Sequence, residues 1–296
     1  MNVSMLEFLA APFVASLILT GIHAYLGVHV VERGVIFVDL SLAQIAALGA
    51  TIALLLPITN GDPHAPVVYW ISLAFTFLGA AIFSTIRSRR ARIPQEAIIG
   101  ICYAVASAAS ILAMSKATSE SEHLKDMLVG NIIAVSWGEV LKTALLYGVI
   151  GTFHFVFRHK FLAISIDPKR AEAEGISIRL WDFLFYASFG FVVTSSVSIA
   201  GVLLVFCYLI VPSVASMLYA DTIGRRLAIG WTMGTIVSAL GVYLSLVLDL
   251  PTGATIVCTF GLVLVVMAAL RPLVQTARAT DIHQVSYSDR AHGTMH

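Results

Sequence analysis

Uncharged apolar runs of roughly membrane-spanning length follow one another along almost the whole chain, and no other feature restricts its fold so severely. A hydrocarbon layer of ~30 Å takes about 20 apolar residues as helix. Charges and Pro/Gly-rich punctuation divide the sequence into about nine such segments, at 8–31, 35–56, 67–86, 97–114, 140–157, 181–199, 202–220, 227–248 and 254–270. The runs are continuous rather than alternating with period two, which makes them helices and not barrel strands. Only 18 of 296 residues are Lys or Arg and 17 Asp or Glu, 12% together, against a usual ~25%. A water-soluble globule of this size could not cover itself with so few polar groups. The expected fold is therefore an all-α polytopic membrane protein, with residues 1–271 as a transmembrane domain and 272–296 as a polar tail.

Orientation follows from where the basic residues fall, because Lys and Arg collect in cytoplasmic loops. An external N-terminus and a cytoplasmic C-terminus put Arg33, then Arg87, Arg89, Arg90 and Arg92, then Arg158, Lys160, Lys169, Arg170 and Arg179, then Arg225 and Arg226, then Arg271, Arg278 and Arg290 inside. Only Lys116, Lys125 and Lys142 remain outside or near an outer helix end, and an odd number of spans agrees with that pattern. The narrowest division is at Ser198 to Gly201, where a tight turn separates two spans. The first apolar run has no basic region before it, so it reads as a retained span in a multi-pass protein of the cell (inner or plasma) membrane. Cys102, Cys207 and Cys258 lie within apolar runs without C-x-x-C spacing and read as core residues.

Two connecting segments carry signals of their own. Ser115 to Gly138, with Met127, Leu128, Val129, Ile132, Ile133 and Val135, suits a helix or re-entrant piece at the outer interface. Residues 166–177 hold a charged helix signature: Asp167 as cap, Pro168 at the first helical position, Ala171 and Ala173 as helix formers and Gly175 as a left-handed stop. A short rod standing in the longest inner loop is a contact point for another protein. The tail from Gln275, with His283, His292 and His296, lacks apolar periodicity and reads as solvated and disordered.

The chain has no G-x-x-x-x-G-K-[ST] and no G-x-G-x-x-G after a strand, so it lacks its own nucleotide engine, and H-E-x-x-H, G-x-S-x-G and S-x-x-K are absent. Its formal charge of +1 offers no field to attract nucleic acid. A transport subunit that is not an enzyme and binds no cofactor fits better than a catalyst. Ionisable groups inside spans are then the site candidates. Asp39, with Ser41 and Gln44 nearby, comes first: a carboxylate in apolar surroundings is neutral, paired, or bound to a cation. Asp39 and Gln44 lie about 140° apart on a regular helix, so both face one ion only across an unwound turn. The competing reading places Asp39 near the inner boundary, bonded to Arg33 or a backbone amide. His23 and His29 are either metal ligands or packed and interfacial histidines, and His154 reads as interfacial. Pro212 is expected to kink its span, with Ser213 and Ser216 repairing the backbone or lining a path.

Five stretches in order resemble the permease subunit of the metal-ion ATP-binding-cassette importers, the family that carries zinc, manganese or iron. They are LGVHVVERGVIFVDLSLAQIAALGA, MLVGNIIAVSWGEV, SIDPKRAEAEGI, SIAGVLLVFCYLIVPSVASML with Gly201 and Pro212 at its marks, and LSLVLDLPTGATIV. The resemblance covers residues from about 20 to 270. It implies a homodimeric membrane pathway, a separate ATPase that consumes ATP at the inner face, and an extracytoplasmic solute-binding protein. It also implies a metal contact at Asp39, with Ser41, Gln44 and His23 along the substrate pathway, and coupling to the ATPase through Asp167, Pro168, Ala171 and Gly175. The family usually follows its aspartate by a histidine and then Pro-Gly, where this chain has Gln44 and Leu48-Gly49. Amide oxygen is a weaker donor for zinc than imidazole, which leaves manganese, iron or another cargo open. His23 compensates only if the first two spans pack together. An ATP-independent transporter or channel is the alternative; internal two-fold repeats would mark it, and none stands out.

Overall fold

The computed structural model describes residues 3–59, 62, 65–86, 93–115 and 132–292, with side chains described for 9–59, 62, 65–86, 93–115 and 132–272. Among these residues there is no strand. The helices are α1 (Val3–Glu32), α2 (Val38–Leu54), α3 (Pro66–Ile86), α4 (Gln95–Met114), α5 (Trp137–Val156), α6 (Arg158–Ile166), α7 (Pro168–Ala173), α8 (Ile178–Met217), α9 (Ile223–Leu248) and α10 (Thr252–His292). Seven of them are long and apolar enough to cross a membrane: α1, α3, α4, α5, α8, α9 and α10, the last as far as Pro272. At 17 residues, α2 is about 25 Å long and falls short of a ~30 Å hydrocarbon layer.

A straight helix with the 40 residues of α8 would measure about 60 Å. Yet Asp182, near its start, pairs with Arg33 at 2.7 Å. Just past its other end, the Ala220 carbonyl accepts from Arg226 Nε at 3.0 Å, and the same Arg226 pairs with Glu32. Glu32 and Arg33 are adjacent, so the two ends of α8 come together and the chain must double back. The reversal is at Gly201, with φ 74° and ψ 162°, a region open essentially to glycine alone. Residues 178–200 and 202–217 are therefore separate passes, divided where the sequence places the tight turn. Pro212 produces no break: Gly201 is the one residue of α8 with non-helical dihedrals. Ser213 Oγ donates to the Leu209 carbonyl at 2.9 Å, one turn earlier in the helix.

The centre of the bundle is α1 against both passes of α8 and against α9, while α2 packs on α3 and α4. In their most apolar stretches α1 is 67% buried but α4 and α10 only 22%, so the latter form the rim. Ile101, Val105 and Leu112 of α4 and Leu262 and Val265 of α10 point outward, as lipid-facing side chains do. Close approach at the centre needs small residues. A Cβ at Gly27 would stand 2.0 Å from the Leu209 carbonyl oxygen, and one at Gly234 2.4 Å from the Thr20 methyl.

Other sequence expectations fall on less of the structure. Residues 116–131, with Met127, Leu128 and Val129, lie outside the described residues, as do Arg87, Arg89, Arg90 and Arg92. The described end of that connection is a turn at Ile132–Ala134 followed by a reciprocal cap between Ser136 and Glu139 at the start of α5. The α10 backbone continues as helix to His292, where the polar composition predicts no regular structure.

Candidate functional site

Asp39 stands in the first turn of α2, 2% exposed, with its carboxylate beside the amides of residues 39 and 40. A negative charge at a helix N-terminus is favoured by the aligned peptide dipoles. Arg33 turns away from it to Asp182 and Ser165, which leaves the backbone amides as the local partners of Asp39. A second acid that the sequence reading passed over approaches here. Glu96, in the first turn of α4, accepts from the Phe37 amide at 3.0 Å and lies near enough to Asp39 to feel its charge. Asp39 Oδ1, Ser41 Oγ and Glu96 Oε2 are all buried without a hydrogen-bond partner. Two carboxylates each with an unpaired buried oxygen form an oxygen-rich locus suited to a hard or borderline cation. Its sequence signal was an acid two residues after Pro94, at the start of the helix, ordinarily just a stabilising charge in a first turn.

The other sequence candidates do not converge on Asp39. α2 is a regular helix throughout, so no unwound turn brings Gln44 round to the same side; Gln44 is nonetheless 9% exposed and lies within the bundle. His23 packs elsewhere, because α1 makes its contacts with α8, α9 and α5 rather than with α2. Its Nδ1 meets the Leu19 carbonyl at 2.8 Å and its Nε2 the Ser196 hydroxyl at 3.2 Å. Tyr147 of α5 joins the same group through Ser196 and Ser195.

One and a half turns along α1 lies a second polar group. His29 and His154 are each 1% exposed, which corrects the interfacial readings: α6 and the first pass of α8 cover them. His154 stacks on Phe161 at 4.3 Å, and His29 Nδ1 meets Ser165 Oγ at 2.9 Å. The neighbouring Arg33 lies over the Phe185 ring at 3.9 Å and pairs with Asp182, both side chains fully buried.

At the far end of α6 the helix signature is realised. Asp167 accepts from the amides of Lys169 and Arg170 at 3.1 and 3.0 Å, Pro168 opens α7, and Gly175 ends it at φ 80°. Ala171 is fully buried against α6 and α8, so it anchors the rod while Lys169, Arg170, Glu172 and Glu174 face outward. Glu174 pairs with Arg170 at 2.8 Å and pushes its guanidinium pKa up. Between α6 and α7 a cleft of about 290 Å³ is lined by His159, Leu162, Ile166, Arg170 and Glu174 among others. The rod and its cleft form a shaped, charged surface at one end of the bundle.

A family profile described as the ABC 3 transport family matches residues 5–271. The chain belongs to this family. The resemblance carried by the five sequence stretches thus holds along nearly the whole transmembrane region. The manganese transport system membrane protein MntC of Listeria innocua is 27% identical, over 66% of this chain and 71% of its own. The chelated iron transport system membrane protein YfeC of Yersinia pestis is also 27% identical, over 86% of each. A chain of PsaBC from Streptococcus pneumoniae, solved in complex with a Fab, shares the fold with a TM-score of 0.74 at 22% identity, covering 90% of this chain and 93% of its own. As an ABC 3 protein the chain is a multi-pass membrane protein with a transport role.

Proposed function

We propose that this ABC 3 protein is the membrane-spanning permease subunit of an ATP-binding-cassette importer for a divalent transition-metal ion: zinc, manganese or iron. It works as a homodimer, a separate ATPase supplies the power stroke, and an extracytoplasmic binding protein delivers the ion. The observation that carries the reading is the family match along residues 5–271. The metal names of relatives such as MntC and YfeC agree with it. The charge distribution supports nine passes with the N-terminus outside, α2 being the short one and α8 counting twice. In this orientation α7 and the α6–α7 cleft face the ATPase, and a rigid-body push there reaches α8 directly through Ala171. Asp39 and Glu96 offer the ion weak oxygen contacts near the inner mouth, suited to passage more than to storage.

The test is uptake into vesicles holding the chain together with its ATPase, with the three metals in competition. Accumulation should need ATP and both subunits, with one metal displacing the others. Accumulation by the chain alone would establish an ATP-independent transporter instead.

A further inference from the structure

The cleft between α6 and α7 has two walls of different chemistry. From α6 come Leu162, Ala163 and Ile166, and from α7 and its C-terminal cap come Arg170, Ala171 and Glu174. Residues three and four apart lie along one side of a helix, so each trio forms a stripe facing the gap. The α6 stripe is wholly apolar. The α7 stripe has its fully buried Ala171 at the floor and a charged lip above, where Arg170 Nε and Glu174 Oε1 pair at 2.8 Å with both side chains exposed. The lip satisfies its own charges and asks for no counter-ion.

Ile166 is 58% exposed, and lipid cannot be its cover as it is for the outward residues of α4 and α10. Asp167 follows it directly, and Lys169, Arg170, Glu172 and Glu174 all stand exposed within the next eight residues; so dense a group of charges stays out of hydrocarbon. A small molecule fits poorly as well. The cleft of about 290 Å³ falls just under the ~300–1,000 Å³ of small-molecule sites, and its charged groups are committed to each other. What suits the two walls is one bulky apolar side chain carried on a polar loop of another protein. The side chain lies against Leu162, Ala163 and Ile166, and the loop backbone meets the Arg170–Glu174 lip.

Resting on the importer reading for the identity of the partner, we infer that the ATPase inserts a bulky apolar side chain into this cleft and so grips α6 as well as α7. Exposed apolar surface in charged surroundings is the mark of such a contact. The grip on α6 has a mechanical consequence. Ser165, buried on the bundle side of α6, meets His29 Nδ1 of α1 at 2.9 Å and accepts from Arg33 Nε, just past the end of α1, at 2.9 Å. A load on Leu162 and Ile166 therefore passes through Ser165 to α1. This is a second route beside the one from Ala171 to α8, and the two meet where Arg33 pairs with Asp182.

The full chain in lipid nanodiscs is titrated with the purified ATPase subunit. Ile166→Ser removes the most exposed part of the apolar wall, and Ala163→Phe fills the space from within. Each should weaken ATPase binding about 30-fold, the loss of a hot-spot contact, with the thermal midpoint of the chain alone unchanged. Ile166 is exposed, so its substitution decides the matter if Ala163→Phe fails to fold. Leu162→p-benzoylphenylalanine should photo-cross-link to a bulky apolar residue of the ATPase, and truncating that residue to Ala should add nothing to Ile166→Ser, as for two sides of one contact. A cross-link that joins two copies of this chain, or reaches only lipid, overturns the insertion. Ser165→Ala cuts the tie to α1 and leaves the cleft alone; it should keep ATPase affinity and lower metal uptake per ATP hydrolysed, and unchanged coupling overturns the α1 route. Tight ATPase binding indifferent to Ile166→Ser sinks the insertion alone, whereas an unsubstituted chain that binds no ATPase sinks the importer reading and the insertion with it.

Discussion

Asp39 holds a buried, unpaired carboxylate oxygen in a chain with few other acids inside its helices. Asp39→Asn keeps the shape and removes the charge. Uptake by the assembled complex should fall about tenfold to a hundredfold, the equivalent of the 1.5–3 kcal/mol of a lost charged contact, while co-purification with the ATPase stays intact. Full transport by a well-folded variant would remove the role. Asp39 was legible because a lone acid in an apolar run stands out. Glu96 was not, since its approach depends on how α4 meets α2. The partners of His23 were hidden for the same reason: the letters give a histidine inside a span but not the Leu19 carbonyl and Ser196 hydroxyl that meet its two nitrogens. Gly201 belongs to this scale too. Gly201→Ala puts a side chain where φ is 74°, and should cost about 1–3 kcal/mol, read as a lower thermal midpoint of the detergent-purified protein.

Among the elements, α7 shows how far local chemistry reaches. Its cap, its first-turn proline and its left-handed stop are all short-range signals, and the six-residue helix forms where they place it. α6 was read as loop because its apolar side faces the bundle, and neither His29 nor Ser165 announces that packing. Gly175→Val forces a branched residue to φ 80° and should weaken ATPase co-purification; Asp167→Ala should loosen α7 by about 0.5–2 kcal/mol and do the same to a smaller degree. Retained association in both variants would mean that the ATPase docks elsewhere.

For the molecule as a whole, its all-helical, multi-pass character was readable from apolar run length, whereas the partners of each helix were not, because lipid-exposed and buried apolar residues look alike in sequence. The buried Arg33–Asp182 pair is the clearest case: neither residue hints at the other 149 positions away. Breaking it with Arg33→Met removes the guanidinium from a buried carboxylate and should cost about 3–5 kcal/mol. Arg33→Met combined with Asp182→Leu should recover most of that in thermal unfolding, and a double variant as unstable as the single one would contradict the assignment.

Because Arg33 grips Asp182 near the start of α8 while Glu32 grips Arg226 of α9, which in turn holds the Ala220 carbonyl just past the end of α8, two consecutive side chains act as a rivet at which α1, both passes of α8 and α9 are tied. Any tilt delivered at residue 182 is passed at the same point to α1, to the returning pass and, through Arg226, to α9. If the chain is the permease proposed above, these crossings should turn together about that end, and a path through it should open by a change of angle between blocks more than by the bending of any single helix.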